Sequence, residues 1–150
     1  MTDLMLAIAH HVLVFALMAV LAAEWGLVRR GMDSKAVRTV VAIDSSYGLL
    51  ATLIIVVGVL RVIYGARGPQ AFLPNPWFWA KMAVFVVIGL LSLPPTLRFL
   101  RWRGALKADP AFRPADQEVG RIKGFINLEI ALFVLIPVFA ATMVRSYVFR

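Results

Sequence analysis

Long apolar runs separated by short polar segments dominate the chain and predict its secondary structure. The runs cover about residues 4–28, 40–64, 78–97 and 125–143. Each is close to the ~20 helical residues that are needed to cross the hydrocarbon core of a bilayer. The pattern predicts an all-α fold, a four-helix transmembrane bundle that forms a single domain over residues 1–150.

Prolines predict irregularities in two of these helices. The sequence LPPT at residues 93–96 is expected to kink or end the third helix, because each proline removes a backbone donor and clashes with the preceding turn. Pro137 predicts a local bend in the fourth helix for the same reason.

The connections between the predicted helices differ in length and composition. Residues 29–39 form a short link, so the first two helices are expected to be antiparallel neighbours. The Gly- and Pro-rich segment GARGPQAFLPNPW, residues 65–77, is expected to lie as a cap over the helix ends. Residues 98–121 form the longest polar segment, and Asp116 and Glu118 are helix-start signals for a short surface helix within it.

Composition supports the membrane interpretation and excludes several kinds of site. Hydrophobic residues make up 61% of the chain, which is far above the proportion in soluble globular proteins. No small-residue cleavage site follows a basic N-terminus, so the first run is interpreted as a retained helix. Cysteine is absent, which excludes disulfides, thiolate metal sites and haem attached through Cys-x-x-Cys.

The net charge of +8 is distributed unevenly along the chain. Most basic residues lie in the two segments that join the first helix to the second and the third to the fourth: Arg29, Arg30, Lys35, Arg38, Arg98, Arg101, Arg103, Lys107, Arg113, Arg121 and Lys123. Fewer lie toward the opposite side: Arg61, Arg67, Lys81, Arg145 and Arg150. The positive-inside rule predicts that both basic segments are cytoplasmic and that both termini are extracytoplasmic. Anionic lipid headgroups account for the basic segments without nucleic acid.

Ionisable side chains within the predicted helices are candidate functional residues, because they are costly in a membrane. His10, His11, Arg61 and Lys81 lie toward the predicted outer side. Adjacent helical residues point about 100° apart, so His10 and His11 cannot clamp one metal ion from opposite sides. Glu24 follows His10 by fourteen residues, close to four helical turns, which favours His10 as the buried histidine.

Two interpretations of Lys81 stay open at this point. Behind Trp77, Phe78 and Trp79, its side chain could reach the headgroups as an interfacial anchor. Alternatively, Lys81 could line a cavity in the outer leaflet beside Arg61 and His10.

Three buried acidic residues, Glu24, Asp44 and Glu129, lie toward the predicted cytoplasmic side. Their first interpretation is structural: cytoplasmic arginines reach back and form ion pairs with them. The arginines within reach are Arg29, Arg38, Arg98 and Arg121. The alternative is proton uptake or cation binding. Their spacing on separate helices is only a weak metal signal.

The residues on the outer side also suggest a haem site. Imidazole is the usual proximal ligand of haem in helical proteins, and Arg61 and Lys81 could pair with the two propionates. Small residues in these helices (Gly58, Ala80, Ala83 and Gly89) would let a flat macrocycle approach. The alternative is that the histidine only hydrogen-bonds a neighbouring helix.

Several motifs resemble those of known families. The pieces HH, AEWGLVRRG, DSSYGLLA, GVLRVIYGARG and NPWFWAKMAVFVVIGLLSLPPTLRF resemble a family of small bacterial four-helix integral membrane proteins of unknown function. More distantly, the early histidine and the lysine behind a tryptophan are similar to those of HemJ-type protoporphyrinogen oxidases, which bind haem b. That resemblance implies His10 or His11 as the axial ligand and Lys81, behind Trp77, as a second functional position.

The leading hypothesis is therefore a haem-b-binding redox protein of the bacterial inner membrane, with a homo-oligomer expected. One alternative is a cofactor-free accessory or assembly subunit of a membrane complex. A further alternative is a small proton- or ion-coupled transporter that uses His10, Glu24, Asp44 and Glu129.

Overall fold

The computed structural model describes residues 1–66 and 68–146. Arg67 and Arg150, which the charge pattern assigns to the outer side, lie outside the described residues. The described helices in chain order are α1 (Thr2–Leu27), α2 (Ser34–Tyr64), α3 (Pro69–Phe72), α4 (Pro76–Ala108), α5 (Asp116–Phe133) and α6 (Leu135–Ser146).

The prediction of an all-α fold with four long apolar helices is confirmed. Residues 1–66 and 68–146 contain no strand. Four helical stretches are long and apolar enough to cross a membrane: α1, α2, α4, and the stretch Asp116–Arg145 that combines α5 with most of α6. Connections 28–33 and 109–115 lie at one end of the bundle, called here the loop end. Residue 1 and connection 65–75 lie at the opposite end, called here the terminus end.

The third apolar helix continues through its prolines beyond the predicted limit near residue 97. Of the two expectations for LPPT, a kink or an end, the end is wrong. Helix α4 contains both Pro94 and Pro95 and extends to Ala108. The added turns are stabilised by packing, since Phe99, Trp102 and Leu106 are all buried. The polar segment predicted over residues 98–121 is therefore mostly helix. Only residues 109–115 connect α4 to α5.

The fourth apolar helix is interrupted in the turn where a bend is predicted. Helix α5 ends at Phe133 and α6 begins at Leu135, with Val134 between them. Pro137 has no N–H to donate to the carbonyl of Phe133, four residues earlier, which weakens the helical ladder in this turn. Asp116 begins α5, as its helix-start signal predicts, but α5 is a long helix and not a short surface one.

Apolar side chains fill the interior of the bundle, and polar contacts tie its loop end together. Helix α1 packs against α2, and α4 packs against α5 and α6. The backbone N–H of Gly31, whose φ is 70°, donates to Asp116 Oδ1 at 2.9 Å. The indole N–H of Trp25 donates to Asn127 Oδ1 at 2.7 Å. These bonds join the connection 28–33 and the end of α1 to α5.

Residues 68–75 pack against α4 at the terminus end, where the sequence predicts a cap. The short helix α3 begins after Gly68, whose φ of 65° favours glycine. Trp79 of α4 donates its indole N–H to the carbonyl of Leu73 at 2.9 Å. This bond holds the connection against α4.

Candidate functional site

A cavity of about 390 Å³ lies at the terminus end of the bundle. All six helices contribute to its wall. Most lining side chains are apolar, and Phe72 and Leu73 of the connection 65–75 contribute to it. The volume is within the range of about 300–1,000 Å³ that is typical of small-molecule and cofactor sites.

His10 lies on the wall of this cavity, and the structure supports its selection over His11. The His10 side chain is half-buried, and its Nδ1 atom is buried without a hydrogen-bond partner in the part of the chain that the structure describes. His11 is exposed and donates from Nδ1 to the carbonyl of Ala7 at 2.7 Å. Glu24, on the same face of α1 as His10, is also buried, as the fourteen-residue spacing predicts.

Because Gly58 has no side chain, space remains open beside the imidazole of His10. A Cβ built on Gly58 of α2 would lie 3.5 Å from Cε1 of His10, which is ordinary van der Waals contact. A larger side chain at this position would extend into the space that the ring and the cavity share.

Arg61 and Lys81 bring two positive charges to the same cavity. Both side chains are half-buried and contribute to the lining. The Nζ atom of Lys81 lies 5.7 Å from the centroid of the Phe78 ring. Neither cation has an ion-pair partner within residues 1–66 and 68–146. This position favours the cavity interpretation of Lys81 over a simple headgroup anchor.

Trp77 does not join this group. The residue is 38% exposed, and its ring packs against that of Phe139 of α6 at a centroid distance of 5.9 Å. Phe78 and Trp79, the next two residues, line the cavity in its place. The structure thus brings His10, Arg61 and Lys81 together and leaves His11 and Trp77 outside the cavity wall.

The three acidic residues form a second polar group inside the bundle, toward the loop end. Glu24, Asp44 and Glu129 are only 3%, 8% and 2% exposed. The phenol of Tyr47 donates to Glu129 Oε2 at 3.1 Å. The hydroxyl of Thr96 donates to Asp44 Oδ1 at 2.7 Å. We call these five residues the carboxyl cluster.

The ion pairs expected between this cluster and cytoplasmic arginines are not formed among the described residues. Arg98 pairs with Glu118 of α5 instead, with 3.0 Å between Nη1 and Oε1. Glu24 Oε1 is buried without a hydrogen-bond partner. The physical reason is orientation: Arg29, Arg38 and Arg121 are exposed, whereas the three carboxyl groups face the buried interior.

Sequence reasoning missed the neutral partners of the cluster and the aromatic wall of the cavity. Tyr47 follows Asp44 by three residues, and this helical spacing is the signal that could have found it. Thr96 follows two prolines and carries no comparable signal. Phe72 of α3 contacts Phe78 of α4, with ring centroids 5.9 Å apart. This contact depends on how the two helices pack.

The donor set limits what the two polar groups can bind. In the part of the chain that the structure describes, no three His, Asp or Glu side chains converge closely enough to hold a metal ion. A metal at His10 would therefore have to bring most of its own ligands, as haem iron does.

Comparison with known proteins gives a family and no activity. No curated protein and no solved structure matches the chain. A family model matches residues 2–147, nearly the whole sequence, and its description agrees with the four apolar helices. The chain therefore belongs to the family described as predicted membrane protein (DUF2214).

Proposed function

We propose that the cavity at the terminus end binds haem b, with His10 as the axial ligand. The observation that carries this proposal is the buried Nδ1 atom of His10, which has no hydrogen-bond partner among the described residues and lies on the wall of an apolar cavity of about 390 Å³. Burying a polar atom without a hydrogen-bond partner destabilises a protein. The unpaired Nδ1 of His10 therefore favours a ligand that binds to this atom.

The shape and chemistry of the wall support a flat, apolar ligand body. Aromatic and aliphatic side chains predominate, and Gly58 keeps the approach to His10 open. Ligand sites of this kind combine an apolar lining with a few polar groups that fix orientation. Here the polar groups are His10, Arg61 and Lys81.

The two cations at the cavity favour a ligand that carries anionic groups at its edge. Arg61 and Lys81 lie on separate helices, without ion-pair partners in the described residues. Two positive charges close to each other in a half-buried site repel, and two carboxylates would neutralise them. The propionates of haem b fit this requirement, and bound haem would supply one-electron redox chemistry at its iron.

The charge pattern also supports a location and an orientation. We assign the protein to the bacterial inner membrane with the loop end in the cytoplasm, because the basic residues concentrate at the connections 28–33 and 109–115 and at the helix ends beside them. The cavity then lies in the outer leaflet.

The experiment is a visible spectrum of protein purified in mild detergent from haem-replete cells. We expect a Soret band that His10→Ala removes and that added imidazole restores. His11→Ala is the matched control and should retain the band, because His11 is exposed and bonds its own helix.

Haem titration into the haem-free protein gives an independent readout through quenching of tryptophan fluorescence. Lys81→Met should weaken binding without abolishing the Soret band. A colourless preparation that also fails to bind added haem would overturn the proposal. Equal binding of oleate by wild type and His10→Ala, with no haem binding, would instead identify a site for amphiphilic carboxylates.

A further inference from the structure

The carboxyl cluster places acidic groups where a membrane protein least tolerates charge. Glu24, Asp44 and Glu129 belong to α1, α2 and α5, and each lies within a segment that can span the membrane. Each is at least nine-tenths buried. A charge that is buried without a partner is strongly unfavourable.

Among the described residues, the groups that form the cluster and face one another carry no positive charge. From the packed helices these are Glu24 on α1, Asp44 and Tyr47 on α2, Thr96 on α4 and Glu129 on α5. Lys123 of α5 is directed elsewhere: its Nζ lies 3.9 Å from the centroid of the Trp25 ring and donates to the carbonyl of Trp25. Arg98 forms an ion pair with Glu118.

A bound metal ion does not resolve this imbalance. No three acidic or histidine side chains in the described parts of the chain converge as metal ligands. A proton needs only one oxygen, and a buried acid that lacks a partner ordinarily becomes neutral by holding one.

The three carboxyl groups are not equivalent in this respect. Glu129 and Asp44 each accept a hydrogen bond from a neutral hydroxyl group. Among the described residues Glu24 has no such donor, and its Oε1 is buried and unpartnered within electrostatic range of both other carboxyl groups. We propose that Glu24 is a proton-binding site within the membrane-spanning part of the bundle, holding its proton at neutral pH.

This site is separate from the cavity at the terminus end. Leu17, Ile54 and Phe133 are buried and lie between the two, at the inner limit of the cavity. Phe133 follows Glu129 by one turn, and Leu17 precedes Glu24 by two. The proposal therefore does not depend on haem binding and can be tested on haem-free protein.

Dicyclohexylcarbodiimide provides the direct test, because it adds to protonated carboxyl groups in apolar surroundings and forms a stable acylurea. Wild-type protein in lipid nanodiscs is treated at neutral pH, digested and mapped by mass spectrometry. We expect an adduct on Glu24 that declines at alkaline pH. Glu118 is the internal control, because its side chain is 27% exposed and forms an ion pair with Arg98. Labelling of Glu118 should be several-fold lower.

Infrared spectroscopy gives a second measurement that does not depend on reagent access. The carbonyl stretch of a neutral carboxylic acid should be present in wild type, shift in D₂O and be lost in Glu24→Gln but not in Glu118→Gln. If Glu24→Gln does not fold, the carbodiimide map of the wild type decides alone. Absence of the adduct and of the band, or their appearance only when sodium is replaced by choline, would overturn the proposal. The second result would identify a cation site.

Discussion

The hydroxyl of Tyr47 donates a hydrogen bond to Glu129 Oε2 across 3.1 Å, joining α2 to α5 in the interior of the bundle. Both side chains are buried, so water cannot replace this bond if it is lost. The two residues are 82 positions apart in sequence.

Tyr47→Phe should therefore destabilise the bundle while leaving its volume unchanged. Hydrogen bonds between membrane helices contribute about 0.6–1.7 kcal/mol, and we expect a loss in this range. Thermal unfolding in detergent, followed by circular dichroism, measures it. Tyr64→Phe is the matched control, because Tyr64 is exposed at the end of α2. Equal melting temperatures for Tyr47→Phe and wild type would contradict the prediction.

Thr96→Val tests the second bond of the carboxyl cluster. The substitution is nearly isosteric and removes the hydroxyl that donates to Asp44 Oδ1 at 2.7 Å. We expect a loss of about 1–2 kcal/mol, toward the upper values for polar contacts in membranes. Thr142→Val removes only a bond to the carbonyl of Val138 in its own helix, and should have a smaller effect. A larger effect at Thr142 would show that the contact between α2 and α4 is unimportant.

Gly58→Leu should close the cavity beside His10. The side chain would start 3.5 Å from Cε1 of His10 and extend into the space used by the ring. Haem binding, measured by titration, should weaken by an order of magnitude or more. Gly48→Leu on the same helix is the control, because nothing lies within 4 Å of its Cβ position. Unchanged haem affinity in Gly58→Leu would place the ligand elsewhere.

The contacts near the loop end should differ sharply in their contributions. Trp102 is buried and donates its indole N–H to Glu118 Oε1 at 3.0 Å. Trp102→Ala should cost about 3–5 kcal/mol, as for other buried aromatic residues. Arg98→Gln should cost less than about 1 kcal/mol, because this partner of Glu118 is 40% exposed. Chemical denaturation in detergent measures both losses, and the reverse order would refute the assignment of stability to packing.

Orientation can be measured with single cysteines, since the natural chain has none. Ala66 lies in the connection 65–75 and Ala111 in the connection 109–115, and both are exposed. A membrane-impermeant maleimide should label Ala66→Cys in intact cells and Ala111→Cys only after permeabilisation. The opposite pattern would place the basic connections outside and contradict the positive-inside prediction.

The candidate site shows which parts of such a site can be predicted from sequence. The pairing of His10 with Glu24 on one face follows from helical periodicity alone, and the structure agrees. The choice between the two interpretations of Lys81 could not be made from sequence, because both place it one turn into an apolar helix. Its location on the cavity wall depends on where α2 lies relative to α4.

The sequence by itself determined the membrane class, the four spans and the side of α1 that faces inward, because these follow from local hydrophobicity and helical periodicity. Only the tertiary structure decided that α4 continues beyond Pro95 and that Arg98 pairs with Glu118. It also decided that Tyr47 and Thr96 donate hydrogen bonds to the buried carboxyl groups. These outcomes depend on contacts between residues on different helices. The energy of such contacts is set by how the helices pack, which no local pattern encodes.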